Sequence, residues 1–175
     1  MGIFNKGFIV KNIIYLILIS GFSIGAKFYN GKKPNGDFPF HLQSNAPECG
    51  PTCLQMIFEY YGKKIPRDSI NTVAKLDKAE GTNLFDLSEA AEHFGFRTLG
   101  VKLKIKELRE APLPAMLHWN DNHFVVLYAI EGNTFYVADP AVGLVKHDEK
   151  TIRKEWCETG QFKPYGVALL LEAKK

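Results

Sequence analysis

The 175-residue sequence is poor in the features that mark several large function classes. Its net charge is only +3, and no run of basic residues interleaved with aromatics occurs, so nothing in it argues for a nucleic-acid partner. There is no glycine-rich phosphate loop, no internal repeat and no low-complexity tract. Its three cysteines form no regular disulfide framework; an odd count fits a reducing compartment. What the chain does have is 46% apolar residues, enough for one core, and a length suited to one domain plus an appendage.

The stretch from Gln43 to Leu54, QSNAPECGPTCL, sets Cys49 beside Gly50 and Pro51 where an amphipathic pattern begins. Cys53, Leu54, Ile57, Phe58 and Tyr61 recur at three- and four-residue steps and Gly62 supplies a stop, which predicts a helix over 50–61. Pro51 is tolerated in its first turn. A helix N-terminus offers unpaired N–H groups and partial positive charge, and both favour a thiolate. Cys53 lies one turn further along the same face and is expected in the core, as is Cys157. For Cys49, the flanking Glu48, Gly50 and Pro51 are poor core neighbours and good components of a tight loop, which favours a functional role.

A cysteine nucleophile needs a base, and the chain offers His41, His93, His118, His123 and His147. His93 falls within a helical pattern that ends at Gly95, as a surface or half-buried residue; His41 and His147 have no evident supporting element and are expected to be solvated. His123 opens NHFVVLYAI, apolar on both faces and so a buried central strand. EGNT then reads as a turn, and a second strand ends at Asp139 before Pro140. In an antiparallel hairpin the start of one strand and the end of the next share an edge, so His123 and Asp139 are expected to be neighbours. Each residue taken alone has a plainer structural reading, and a zinc site made of Cys49, Cys53 and a histidine is a further alternative, although no second ligand pair with finger-like spacing follows.

Gln43, then Glu-Cys-Gly-Pro-Thr-Cys-Leu at 48–54, Asn-His-Phe-Val-Val at 122–126 and Ala-Asp-Pro-Ala at 138–141 together resemble the bacteriocin-processing cysteine peptidases. These are the papain-like domains at the N-terminus of peptidase-containing ABC transporters, which cleave leader peptides after a double-glycine motif. The resemblance covers roughly residues 38–171. It implies Cys49 as nucleophile, His123 as general base and acid, Asp139 as orienting carboxylate and Gln43 as oxyanion-hole donor, with no cofactor. Family members more often carry Asp than Glu before the nucleophile, so Glu48 departs from the pattern while keeping the charge. Members that lack the cysteine act as docking domains, the alternative reading of this chain.

The predicted elements are helices at 50–61, 67–76, 83–94 and 105–110 and strands at 97–102, 114–118, 122–130, 134–139 and 165–171. Helices followed by a mostly antiparallel sheet make an α+β, papain-like layout over residues 38–175. Residues 1–37 form the appendage: Phe8–Ala26 is nearly all apolar and would extend about 28 Å as a helix, either a membrane anchor or a signal peptide with small residues at Ser23, Gly25 and Ala26. Lys27, Lys32 and Lys33 slightly outnumber Lys6 and Lys11, which favours a catalytic domain in the cytoplasm. The resemblance agrees and implies the bacterial inner membrane; a cleaved signal peptide would make the domain secreted or periplasmic. The expected partners are a leader-bearing precursor peptide, a separately encoded ABC-type exporter and the membrane. The ATPase and transmembrane domains of the full transporters are absent, so if complete the chain is expected neither to hydrolyse ATP nor to export by itself.

Overall fold

The computed structural model describes residues 38–174 and lays three helices down before a six-stranded sheet. The expectations for residues 1–37, the hydrophobic segment among them, lie outside the described residues. Among those that are described, no helix is long and apolar enough to cross a membrane.

Helix α1, Cys49–Tyr60, follows a 3-10 turn at Ala46–Glu48 and buries Cys53, Leu54, Ile57 and Phe58, the stripe its spacing announces. It stops at Gly62, whose φ of 79° turns the chain so that Lys63 N–H reaches the Phe58 carbonyl (2.8 Å) and Gly62 N–H that of Glu59 (2.9 Å). This reciprocal closure satisfies carbonyls that would otherwise lack partners. Helix α2, Arg67–Val73, ends three residues before the expected 76. Ala74 is buried and its carbonyl accepts the Thr82 hydroxyl (2.8 Å), while Lys75 takes φ 51° and reverses the chain. Such a stop carries no glycine or proline signal. Helix α3, Leu84–His93, is capped by Asn83, whose side chain accepts the Asp86 N–H at 2.9 Å, and Gly95 ends it with φ 86°.

The strands are β1 (Phe96–Leu103), β2 (Ala115–Trp119), β3 (His123–Glu131), β4 (Thr134–Asp139), β5 (Gly143–Asp148) and β6 (Gly166–Ala173), ordered β1-β6-β2-β3-β4-β5 with every pairing antiparallel. The fold is α+β, and β3 is internal as its two apolar faces require. On one face, Leu54, Ile57 and Phe58 of α1 pack with Met116, Phe124, Val126 and Leu169. The other face joins Leu103, Leu117, Leu127 and Phe135 to Ile152 and Trp156. The short α4 (Ile105–Leu108), α5 (Glu149–Ile152) and a π-helical turn at Arg153–Cys157 contribute to that second layer. Strand β5, α5 and the π-turn are absent from the sequence reading. The alternating half-exposed residues of β5 are too few to declare a strand without β4 beside them.

Gly166 shows how closely the second layer is fitted. A Cβ there would fall inside the Trp156 indole, whose Nε1 donates to the Val167 carbonyl at 2.8 Å. Gly166→Ala should therefore lower unfolding stability by about 1–3 kcal/mol, read as a reduced urea midpoint at unchanged m-value. An unchanged midpoint would show that the indole yields freely.

Candidate active site

Three elements meet at the end of the sheet where β3 begins. The loop 43–48 brings Gln43 in, its backbone N–H bonded to the Pro140 carbonyl at 2.9 Å. The 3-10 turn with Pro47 leads into α1, so Cys49 is the first residue of a 12-residue helix and lies among its unpaired N–H groups. His123 opens β3 and Asp139 closes β4, and the hairpin brings their side chains together with Nε2···Oδ1 at 2.8 Å. Asp139 Oδ1 also accepts the Ala141 N–H at 2.9 Å, which holds the carboxylate on the turn before β5.

Cys49 is 7% exposed, and its neighbours Gly50 and Pro51 are buried as well. This corrects the expectation that they make poor core neighbours. Gly50 is tolerated inside because it has no Cβ: one would meet Leu87 Cδ1 at 2.8 Å and Thr82 Cγ2 at 3.0 Å. Cys49 is nonetheless distinct from Cys53, which is fully buried and whose Sγ donates to the Phe124 carbonyl at 3.3 Å. Burial, reinforced by the charges of Cys49 and Asp139, pushes the Cys53 thiol well up. Burial likewise pushes Cys157 up to about 11. Among the described residues no group of three or more His, Cys, Asp and Glu side chains is placed to hold a metal ion.

Electrostatics bind the site together. Burial alone would pull His123 down, but hydrogen bonds to Asp139 and to the Cys49 side chain, with the charges of both, outweigh it and raise the imidazole to about 9. Burial would raise Asp139, and the His123 bond, the Ala141 N–H and the charges of His123 and His147 instead hold it below the usual carboxylate range. Since Nε2 faces Asp139, the ring's other nitrogen is left for the sulfur. Such a trio can hold an imidazolium beside a thiolate.

Gln43 lies at the same mouth. Its Nε2 is 3.5 Å from the Ala46 carbonyl, a weak contact, and its Oε1 is buried without a hydrogen-bond partner. The side-chain amide is therefore only loosely committed within the protein. A cavity of about 520 Å³ has Asn122 and Phe124, the two chain neighbours of His123, in its wall with Asp77, Thr82, His118 and Asp121, while Cys49, His123 and Asp139 do not line it. Burial pulls His118 below its ordinary value, against the raising effect of Asp121. The sequence reading assigned His118 no role.

The remaining histidines separate. His93 is exposed on α3 as expected. His41 is only partly solvated: it is half-buried with Nε2 2.9 Å from Glu59 Oε2, which ties the entering segment to α1. So is His147, which lies in β5 and stacks on Trp119 with ring centroids 5.6 Å apart. Both partners are distant in sequence, so no local pattern could have signalled them.

A helical layer followed by an antiparallel sheet, with a cysteine at a helix mouth and a histidine and an acid at the sheet end where β3 begins, defines the class of papain-like cysteine peptidase folds. More narrowly, the chain belongs to the Peptidase C39 family, whose profile matches residues 37–160. Two Escherichia coli relatives are each 38% identical: the probable microcin-H47 secretion/processing ATP-binding protein MchF over 105 residues, and the colicin V secretion/processing ATP-binding protein CvaB over 107. These alignments cover 60% and 61% of this chain and 15% of each relative, so the chain spans only a small part of their length. A solved double-glycine-motif protease from an AMS/PCAT transporter, in complex with leader peptide, superposes with a TM-score of 0.70 at 28% identity. That match covers 78% of this chain and 91% of the other.

The His123–Asp139 pair has a definite signature in pH. His123 is raised in the folded state, so its contribution to stability is complete below its ordinary value of 6.5 and is lost as pH rises through about 9. Asp139 is lowered, so its contribution is present above 3.8 and is lost as pH falls through its depressed folded value. The stability advantage of wild type over Asp139→Asn should therefore shrink between pH 6.5 and about 9, measured by urea denaturation across that range. A gap that stays constant there would rule out a His123 stabilised by Asp139.

Proposed function

We propose that this domain is a cysteine endopeptidase that removes double-glycine leader peptides from bacteriocin-like or signalling precursors during export. The observation that carries this reading is that one imidazole, His123, is bonded to Asp139 at 2.8 Å and has its pKa raised by both Asp139 and Cys49, the first residue of a helix, in a chain of the Peptidase C39 family.

In the mechanism, the Cys49 thiolate attacks the carbonyl carbon of the leader's second glycine. The carbonyl π electrons move to oxygen, and the oxyanion is met by the Cys49 backbone N–H and the Gln43 amide. Asp139 holds the His123 ring so that the imidazolium gives its proton to the departing amine nitrogen as the C–N bond breaks. A water molecule, deprotonated by the returned neutral imidazole, then attacks the thioester and releases the leader carboxylate and the thiolate. No cofactor enters any step.

In this reading the domain works with an ABC-type peptide exporter at the bacterial inner membrane, on its cytoplasmic side. The names of the Escherichia coli relatives, which join secretion, processing and ATP binding, support that association. The N-terminal segment 1–37 would supply attachment to the membrane, and 38–175 the peptidase.

Incubation with a synthetic double-glycine precursor tests the proposal. Cys49→Ala should lose at least about 10⁴-fold in rate, and Gln43→Ala about 10²–10³-fold, mainly in kcat. Equal cleavage by wild type and Cys49→Ala would sink the mechanism, and tight leader binding without turnover would favour a docking role. Independently, iodoacetamide at pH 6 should label Cys49 well ahead of Cys53 and Cys157, whose thiols are buried and raised.

A further inference from the structure

We propose that Arg67 is a positioning residue for the oxyanion-binding groups, acting through Glu48 and the Leu42 carbonyl on the loop that carries Gln43 and opens into Cys49. The inference rests on the peptidase reading above and extends it to Arg67, which neither the sequence pattern nor the family resemblance implicates.

Arg67 is the first residue of α2, where the helix dipole opposes a cation, so the helix itself gives no reason for its presence. Its contacts give one. Nε donates to Gln55 Oε1 on α1 at 2.9 Å, and Nη1 donates to the Leu42 carbonyl at 2.9 Å. Nη1 also lies 3.5 Å from Ser44 Oγ and 3.5 Å from Glu48 Oε2. One guanidinium therefore holds the residues on both sides of Gln43 and anchors them to the nucleophile's helix. Its side chain is only 19% exposed, and that of Glu48 13%, so the pair is poorly screened.

Glu48 completes the clamp. Its Oε2 accepts the Ser44 N–H at 3.1 Å and its Oε1 the Asn45 side-chain amide at 3.3 Å, which folds the loop back onto the residue preceding Cys49. Gln43 needs such support because its own amide makes only the 3.5 Å contact with Ala46 O. Among the described residues, and apart from the Gln43 N–H bond to Pro140 O, the loop is tied by the bonds of Arg67 and Glu48 and by one 3.2 Å bond from the Glu48 N–H to the Asn45 carbonyl. An oxyanion hole works only if its donors are already aimed when charge develops. The planar fork of Arg67 reaches the Leu42 carbonyl, Gln55 and Glu48 from one rigid group, which a lysine ammonium on the same stem cannot do.

The test uses the full-length chain with Arg67→Ala, Arg67→Lys, Glu48→Gln and Gln43→Ala. Three readouts are taken: kcat and KM on a double-glycine precursor, affinity for a peptide aldehyde ending in Gly-glycinal, and the iodoacetamide rate at Cys49. The aldehyde forms a tetrahedral adduct and probes the hole without hydrolysis. Iodoacetamide reacts at a saturated carbon and builds no oxyanion. Arg67→Ala should lower kcat roughly 30- to 100-fold with KM nearly unchanged, and weaken the aldehyde by a similar factor. Alkylation should stay within about twofold of wild type, as displacement at saturated carbon needs no such donors.

Arg67→Lys should resemble Arg67→Ala, and in a Gln43→Ala background Arg67→Ala should cost less than about threefold more, because both act through one group. The inference is overturned by an unchanged kcat in Arg67→Ala, by parallel loss of cleavage and alkylation, or by full additivity with Gln43→Ala. If Arg67→Ala does not fold, Arg67→Lys and Glu48→Gln decide it by the same three readouts. Wild type that binds the aldehyde but cleaves no precursor would count against the peptidase reading alone, since the aldehyde series would still report the clamp.

Discussion

The site depends on the seam between the first helix and the third strand. Cys49 opens α1 and His123 opens β3, and the two come together only because α1 lies across β3 at one depth and one angle. Cys53, one turn along the helix, donates its thiol to the carbonyl of Phe124, the residue after His123. Around that bond Leu54, Ile57 and Phe58 pack on Phe124 and Val126 with almost no exposure. Close packing of this kind leaves few alternative arrangements, so a helix end and a strand end with little local rigidity of their own are held in one neighbourhood.

Upon that frame the electrostatics become cooperative. Burial disfavours an isolated charge at either Asp139 or His123, yet each offers the other the opposite charge in a partly dry setting, and the result is a depressed carboxylate beside a raised imidazole. The low dielectric that makes charge costly also strengthens the pairing. The same logic recurs one layer out at Glu48 and Arg67, where burial raises the carboxyl while the Ser44 N–H and the guanidinium lower it by more. Opposite charges are thus paired twice, at Arg67 and Glu48 beside the loop and at His123 and Asp139 in the site.

Much of this was readable from the chain because the informative residues lie at element ends. Glycine marks the close of α1 at Gly62 and of α3 at Gly95, and the predicted limits of both differ by only a residue or so from those observed. The His123–Asp139 pair followed from hairpin geometry alone, since strand starts and ends share an edge. Less was readable where an element owes its existence to a neighbour. Strand β5 needs β4, the early end of α2 needs Thr82 across from Ala74, and His41 and His147 are partly covered by Glu59 and Trp119. Glu48 stood out in the sequence only as an unusual residue before a cysteine; its partnership with Arg67 spans a whole helix and a turn.

By itself, then, the sequence determined most of the elements in their order, the two-faced burial of β3 and the stops of α1 and α3, which are consequences of local periodicity, turn chemistry and residue type acting over a few positions. The set Gln43, Cys49, His123 and Asp139 came from the family resemblance of the motifs that hold those residues. The tertiary structure alone decided the burial of Cys49 with Gly50, the 2.8 Å bond that sets the imidazole and the clamp of Arg67 around the loop. These depend on distances between segments far apart in the chain. Such distances are settled by how side chains fill the space between helix and sheet, and residue spacing along the sequence does not encode them.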